Sequence, residues 1–319
     1  MSNHLKIVFF GTPEFATHIL DGIVASKHEV VGVVTVADKP AGRGRKLNES
    51  HVKQYAVKND LNVLQPTNLK ADDFIENLQA LDADLFVVVA FRMLPKRVWD
   101  MPDKGTFNLH ASLLPQYRGA APINWAVINQ EEKSGVTTFF IDDQIDTGAV
   151  IAQKECEINP DETAGSLYER LKALGRELTS ETIEEVAKGN INTISQKHSN
   201  ELKSAPKLNL ENTTIDFNQT AEEVDAHVRG LFPFPVAKAF LINGVKLQVK
   251  IFQTKIVNNA HKMQPGAIVV KNSEIWVACS QGFIILEKIQ LPNKKAMLAK
   301  DLLNGFQFDS EARFDVASA

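Results

Sequence analysis

The chain is expected to fold as an open, doubly wound α/β sheet followed by a smaller β-barrel of the oligonucleotide-binding type. Three features of the sequence lead there. The first half alternates short apolar strands with helix-like segments, which favours a layered α/β sheet over an all-β or all-α fold. Several of those strands, 85–90 among them, are unbroken apolar runs, as expected of parallel strands covered on both faces. Beyond residue 235 the pattern changes to closely spaced strands parted by turns such as Asn243-Gly244 and Pro265-Gly266.

Each element has its own warrant. Strands are expected over 5–11, 29–36, 62–65, 85–90, 106–110 and 136–141, and helices over 13–26, 52–59, 71–80 and 121–129. Thr12 is placed as the N-cap of the first helix, with Pro13 at its first turn. A long helix over 164–188 stops at Gly189, a residue suited to the left-handed cap. The polar stretch 190–203 reads as a linker. A helix over 221–231 ends at Phe232-Pro233-Phe234-Pro235, and strands over 236–242, 245–252, 267–270, 275–278 and 283–291 then build the barrel. With 319 residues there is chain enough for two cores, and we draw a first domain at 1–189, a linker at 190–206 and a second domain at 207–319.

Composition narrows the function classes. Apolar residues make up 44% of the chain and charged residues 23%, the proportions of an ordinary globular protein rather than a disordered one. Met1-Ser2-Asn3-His4 leads straight into a strand-like run with no cationic and apolar leader, and no apolar run is long enough to span a bilayer, so a cytoplasmic location off the membrane is expected. Cys156 and Cys279 lie far apart and form no metal or redox spacing; both are expected to be buried free thiols. The net charge of -4 hides a one-sign stretch: 226–273 carries no Asp or Glu but holds Arg229, Lys238, Lys246, Lys250, Lys255, Lys262 and Lys271. That stretch suits either a polyanion or a plain solvated face.

The chemistry concentrates around Asn108-Leu109-His110 and Asp146-Thr147-Gly148. On a strand, Phe107 and Leu109 would face a core while Asn108 and His110 project together on the other side. An imidazole beside an amide suits acyl-type transfer, because one handles a proton near neutral pH and the other donates to a developing oxyanion. Ligands of doubly wound sheets bind outside the carboxyl ends of the strands, where this pair falls. Competing readings are weaker. Gly11-Thr12-Pro13 has proline where a dinucleotide fingerprint needs glycine, and no GxxxxGK[ST] loop occurs. One Asp-Thr-Gly in an α/β frame lacks the facing carboxylate of an aspartic protease. The run Pro40–Lys46, with Arg43, Arg45 and Lys46, is a cationic loop at the ligand-bearing edge, either solvated or touching a phosphate backbone.

Taken together, Asn108-x-His110, Ser112-Leu113-Leu114-Pro115, Tyr117–Pro122 and Asp146-Thr147-Gly148 closely resemble the formyltransferases that use 10-formyltetrahydrofolate. Gly11–Phe15, the Pro40–Lys46 loop, Ala205-Pro206-Lys207-Leu208 and Lys294-Lys295-Ala296-Met297 point to the branch acting on methionyl-initiator tRNA. The resemblance covers nearly the whole chain. It departs from the family at 90–95, one residue short and lacking a Tyr-Gly, and at 231–235, where the usual motif is Asn-Pro-Trp-Pro. The resemblance implies a Rossmann-like first domain, Asn108, His110 and Asp146 as the catalytic trio, and Ser112, Leu113, Leu114 and Pro115 lining the folate site. It also implies Arg43 and its neighbours reaching the acceptor end of the tRNA. Lys207, Lys246 and Lys250 are expected tRNA contacts of the second domain. Formyl-folate as co-substrate, no metal and a monomeric enzyme complete the expectation. A formyltransferase for a small amine or amino-sugar nucleotide, or a non-catalytic RNA-binding protein on the same frame, are the alternatives.

Overall fold

The computed structural model describes residues 4–41, 46–189, 191–197, 199 and 201–316. In chain order the first elements are β1 (Lys6–Gly11), α1 (Glu14–Val24), β2 (Glu29–Val34), the short pair β3 (Lys39–Ala41) and β4 (Lys46–Asn48), α2 (His51–Lys58) and β5 (Val63–Leu64). There follow α3 (Asp72–Gln79), β6 (Leu85–Val89), α4 (Lys96–Trp99), β7 (Thr106–His110), β8 (Arg118–Gly119), α5 (Pro122–Ile128), β9 (Lys133–Phe140), β10 (Val150–Glu157) and α6 (Ala164–Lys188). The remainder comprises β11 (Ser204–Ala205), α7 (Ala221–Gly230), β12 (Ala237–Asn243), β13 (Val245–Val257), β14 (Ile268–Lys271) and β15 (Glu274–Ala278). It closes with β16 (Phe283–Gln290), β17 (Met297–Leu298), α8 (Ala299–Leu302) and β18 (Arg313–Phe314).

Two compact units emerge. One comprises Met1–Gly119, Ser134–Cys156 and Glu169–Ser204; the other comprises Ala120–Lys133, Glu157–Tyr168 and Ala205–Ala319. Neither is one continuous stretch. Helix α5 groups with the later part of the chain because its partners are there: the Asn124 amide donates to the Gly230 carbonyl at 2.7 Å and the Trp125 indole to that of Pro206 at 2.8 Å.

The first unit is built on a sheet ordered β10-β9-β7-β6-β1-β2-β5. β5, β2, β1, β6 and β7 run parallel, while β9 is antiparallel to β7. All five residues of β6 are buried, as its unbroken apolar run requires, and Phe9 and Phe10 of β1 are fully enclosed. Each such large side chain contributes roughly 1.5–3 kcal/mol by leaving water. Because β1 lies between β2 and β6, the chain reverses its direction of travel beside β1, and a crevice opens at the carboxyl ends of β1, β6 and β7. Helix α1 starts one residue later than expected: Pro13 is its N-cap, no side chain caps it, and the Pro13 carbonyl accepts the Thr17 amide. Strand β10 was not foreseen. Its run Val-Ile-Ala-Gln-Lys-Glu-Cys-Glu buries only Val150 outright and leaves Ala152, Lys154 and Cys156 half-buried, so its polar half masks the strand signal. Of the two thiols, Cys279 is buried and Cys156 only half-buried, since it lies on this edge strand.

In the second unit an antiparallel sheet runs β14-β15-β16-β13-β12-β18, with β17 beside β16. A bridge between Ala267 and Arg313 joins its two ends, so the sheet closes as a barrel. Gly266, at φ +82°, makes that seam: its carbonyl accepts the Phe314 amide at 2.8 Å. A Cβ there would stand 2.4 Å from the Phe314 carbonyl oxygen. Helix α7 starts with a full capping box of Thr220 and Glu223 and buries Ala221, Val224 and Val228 along one face. Those residues join Phe217, stacked on Phe314 at 5.1 Å between ring centres, and the inward residues of β12, β13, β15 and β16 in a single core.

Candidate active site

Strand β7 delivers the amide and the imidazole as its alternation requires. Phe107 and Leu109 are buried, Asn108 is half-buried, and His110 ends the strand only 8% exposed. Neighbouring strands fix the register: Asn108 lies opposite Val88 and Phe139, and His110 opposite Thr137. The Asn108 backbone is engaged in the β6–β7–β9 ladder, and no described residue hydrogen-bonds its side-chain amide.

Both nitrogens of His110 face polar groups. Nε2 lies 2.9 Å from the Tyr117 carbonyl oxygen, and Nδ1 lies 3.7 Å from Oδ2 of Asp146. A carbonyl only accepts, so Nε2 carries a proton and Nδ1 is the nitrogen turned to the carboxylate. That same Oδ2 accepts the Gly119 amide at 3.0 Å. Tyr117 and Asp146 both occupy the left-handed region, at φ +60° and +55°. Such residues cost on the order of 1–3 kcal/mol each and persist where neighbours over-determine them. Here the Tyr117 amide donates to the Lys203 carbonyl at 2.7 Å, and the Asp146 carbonyl accepts from the Gln196 side chain at 3.0 Å.

The Asp146-Thr147-Gly148 turn is shaped from both ends. One carboxylate oxygen of Asp142 accepts the Thr147 hydroxyl at 2.7 Å and the Gln144 amide at 3.0 Å. Gly148 passes so close to β9 that a Cβ would lie 1.7 Å from the Phe140 carbonyl oxygen. Glycine is required there by space, since no side chain can enter.

The loop Ser112–Pro115 sits against β9 and β10. Thr137 Oγ1 donates to the Ser112 carbonyl at 2.6 Å and accepts the Leu114 amide at 3.1 Å, while the Gln153 amide donates to the Leu114 carbonyl at 2.8 Å. Ser112 is buried, its hydroxyl donating to the Gln116 carbonyl, and Leu114 is buried with Phe139 and Val150. Leu113 and Pro115 are half-buried and are the two side chains of this loop still open to a ligand. Thr137, Gln153 and Gln196 were not foreseen. Each is a single polar residue in a strand or loop, with no local pattern to mark it.

Of the basic residues singled out, Arg43 and Arg45 lie outside the described residues, and Lys46 opens β4. Lys207 and Lys250 are exposed on the second unit. Lys246 is exposed too, but its ammonium pairs with Asp315 and stands 4.7 Å from the centre of the Phe240 ring. Lys271 stands over Trp276 at 3.4 Å, and Lys238 faces Lys250 across β12 and β13. No group of three or more His, Cys, Asp or Glu suited to a metal occurs among the described residues, nor a helix long and apolar enough to cross a membrane.

A doubly wound sheet with Asn, His and Asp at its carboxyl edge, ahead of a closed barrel, defines a two-domain group transferase. Residues 5–183 match the family described as formyl transferase, and residues 207–307 match the formyl transferase C-terminal domain. The chain is 52% identical to the methionyl-tRNA formyltransferase of Flavobacterium johnsoniae over 97% of this chain and 98% of that one. It is 46% identical to the enzyme of the same name from Bacteroides fragilis, over 95% of each. The chain belongs to the formyl transferase family. Among solved structures, the N-formyltransferase from Helicobacter canadensis in complex with folinic acid and dTDP-3-aminofucose superposes with a TM-score of 0.63. At 22% identity, over 88% of this chain and 98% of that one, the likeness is one of fold.

Proposed function

We infer that this chain transfers the formyl group of 10-formyltetrahydrofolate to the α-amino group of methionyl-initiator tRNA, yielding formylmethionyl-tRNA for translation initiation. Identities of 52% and 46% to methionyl-tRNA formyltransferases, over nearly the full length of each chain, support the activity. The observation that carries the chemistry is the convergence of Asn108 and His110 on one face of β7 with Asp146 facing the imidazole at 3.7 Å. In the reaction a C–N bond forms between the amine and the formyl carbon, the bond from that carbon to N10 breaks, and a proton passes from the amine to N10. Asn108 donates its amide N–H to the oxyanion of the tetrahedral intermediate; removing one such donor typically costs about 10²–10³ in rate. His110 moves the proton, a contribution of roughly 10²–10⁴, and Asp146, facing Nδ1, is the counter-charge to the ring while it carries that proton. Leu113 and Pro115 border the folate. The exposed lysines of the second unit, with Lys207, Lys246 and Lys250 among them, meet tRNA phosphates, and Arg43, Arg45 and Lys46 reach the acceptor end. Affinity resting on such contacts falls steeply with salt. The protein works as a cytoplasmic monomer.

The test is formyl transfer by the purified chain from 10-formyltetrahydrofolate to methionine-charged initiator tRNA. His110→Ala and Asp146→Asn lower turnover by about 10²–10⁴ while the folate still binds. Turnover near that of the unaltered chain in either variant removes these residues from the reaction.

A further inference from the structure

We propose that Gln196, in the stretch that reads as a mere linker, is a positioning residue for formyl transfer. It would act by locking the Asp146 turn to the loop that holds His110. The inference rests on the transfer activity proposed above and extends it to a residue with no chemistry of its own.

The Gln196 side chain uses all of its hydrogen-bonding capacity. Its carbonyl oxygen accepts from Arg118 twice, from Nε at 3.1 Å and from Nη2 at 2.7 Å. Its amide nitrogen donates twice, to the Asp146 carbonyl at 3.0 Å and the Gly148 carbonyl at 2.8 Å. A guanidinium cannot accept and a carbonyl cannot donate, so the amide has only one orientation. The two carbonyls it grips belong to the turn that presents the Asp146 carboxylate. The arginine it grips lies between Tyr117, whose carbonyl meets His110 Nε2, and Gly119, whose amide meets the Asp146 carboxylate. One half-buried amide therefore ties together the groups facing both nitrogens of the imidazole.

The backbone around Gln196 is anchored too. Two residues earlier, Ile194 exchanges both backbone hydrogen bonds with Val150 at 2.8 Å each. Further on, the Lys203 carbonyl accepts the Tyr117 amide, and the Lys203 amide donates to the Gln116 side chain at 2.8 Å. The exposed residues 192–195 and 197 flank a single inward-turned side chain, the pattern of a strap whose one inner residue does the gripping. A simple surface tether would need neither the doubled donor nor the doubled acceptor.

Displacing a reacting group by about 1 Å costs on the order of 10² in rate. Gln196→Ala leaves both carbonyls to water and frees the turn. Gln196→Glu keeps the acceptor for Arg118 but turns an anion onto the two carbonyls, and Gln196→Met keeps the volume without the bonds. The experiment measures kcat and KM for both substrates, together with melting temperature, in these variants, in Asp146→Asn and in Gln196→Ala/Asp146→Asn. Expected are kcat lower by roughly 10- to 100-fold and KM values within about threefold. In the Asp146→Asn background Gln196→Ala should cost less than about a further twofold, because its effect passes through that residue. Unchanged kcat in all three single variants overturns the proposal. So does a loss that adds in full to that of Asp146→Asn, or one that only tracks a lowered melting temperature. If the unaltered chain transfers no formyl group, it is the activity, rather than the strap, that has failed.

Discussion

Gly148→Ala isolates how much the reaction depends on the placement of Asp146. The added methyl carbon would stand 1.7 Å from the Phe140 carbonyl oxygen and 2.9 Å from its carbon, both backbone atoms of β9. Strand β9 is held by β7 and β10, so the turn has to move. Reaching ordinary contact near 3.4 Å requires the two to part by about 1.7 Å, more than a close-packed interior absorbs elsewhere. Asp146 is two residues away and moves with the turn, widening its 3.7 Å approach to His110 Nδ1. With about 10² in rate per ångström of misplacement, a shift of the carboxylate by about 1 Å, part of that 1.7 Å, lowers kcat by roughly 10², about 2.7 kcal/mol of barrier. The assay is steady-state formyl transfer with circular dichroism and a melting curve. Gly305→Ala, where the added carbon meets nothing within 4 Å, serves as the control and should be silent. A Gly148→Ala enzyme turning over within about threefold of the unaltered one, with its fold intact, would refute the claim that this turn positions the carboxylate.

Two further predictions concern the barrel. Gly266→Ala sets a Cβ 2.4 Å from the Phe314 carbonyl oxygen at a φ of +82°, and should destabilise the second unit by roughly 2–4 kcal/mol; an unshifted urea midpoint would show that the seam tolerates a side chain. His227 is half-buried as a residue, but its Nε2 is sealed from solvent with no partner among the described residues, and burial pushes its pKa down to about 4 against a partial offset from a backbone bond at Thr213. The folded value lies below the unfolded 6.5, so the unfolded chain binds the proton first; stability is full above pH 6.5, falls as pH drops toward 4, and loses up to about 3 kcal/mol. His227→Leu should flatten that part of the stability–pH curve, and an unchanged slope would clear His227 of the effect.

Local signals carried a large share of the architecture. The unbroken run at 85–89 named a doubly covered strand, the alternation at 107–110 separated Phe107 and Leu109 from Asn108 and His110, and the long helix ends at Lys188 before Gly189, which sits at φ +75°. These succeed because periodicity and capping act within a few residues. Where a segment takes its structure from a distant partner, the local pattern carries no signal. Strand β10 carries Lys154, Glu155 and Glu157 and exists because β9 lies beside it. The polar stretch after Gly189 looks like free chain until Ile194 meets Val150 and Gln196 meets Asp146. The placing of the Ser112 loop depends likewise on Thr137, 25 residues on, whose hydroxyl donates to the Ser112 carbonyl.

Residue order alone specified on which face of β7 Asn108 and His110 stand, because the pleat is a property of adjacent residues. Folding decided the distances around them: the 3.7 Å from imidazole to carboxylate, the left-handed turn at Asp146 and the amide that grips it. Those depend on bringing together segments far apart along the chain, whose meeting is governed by the packing of the whole sheet rather than by any local pattern.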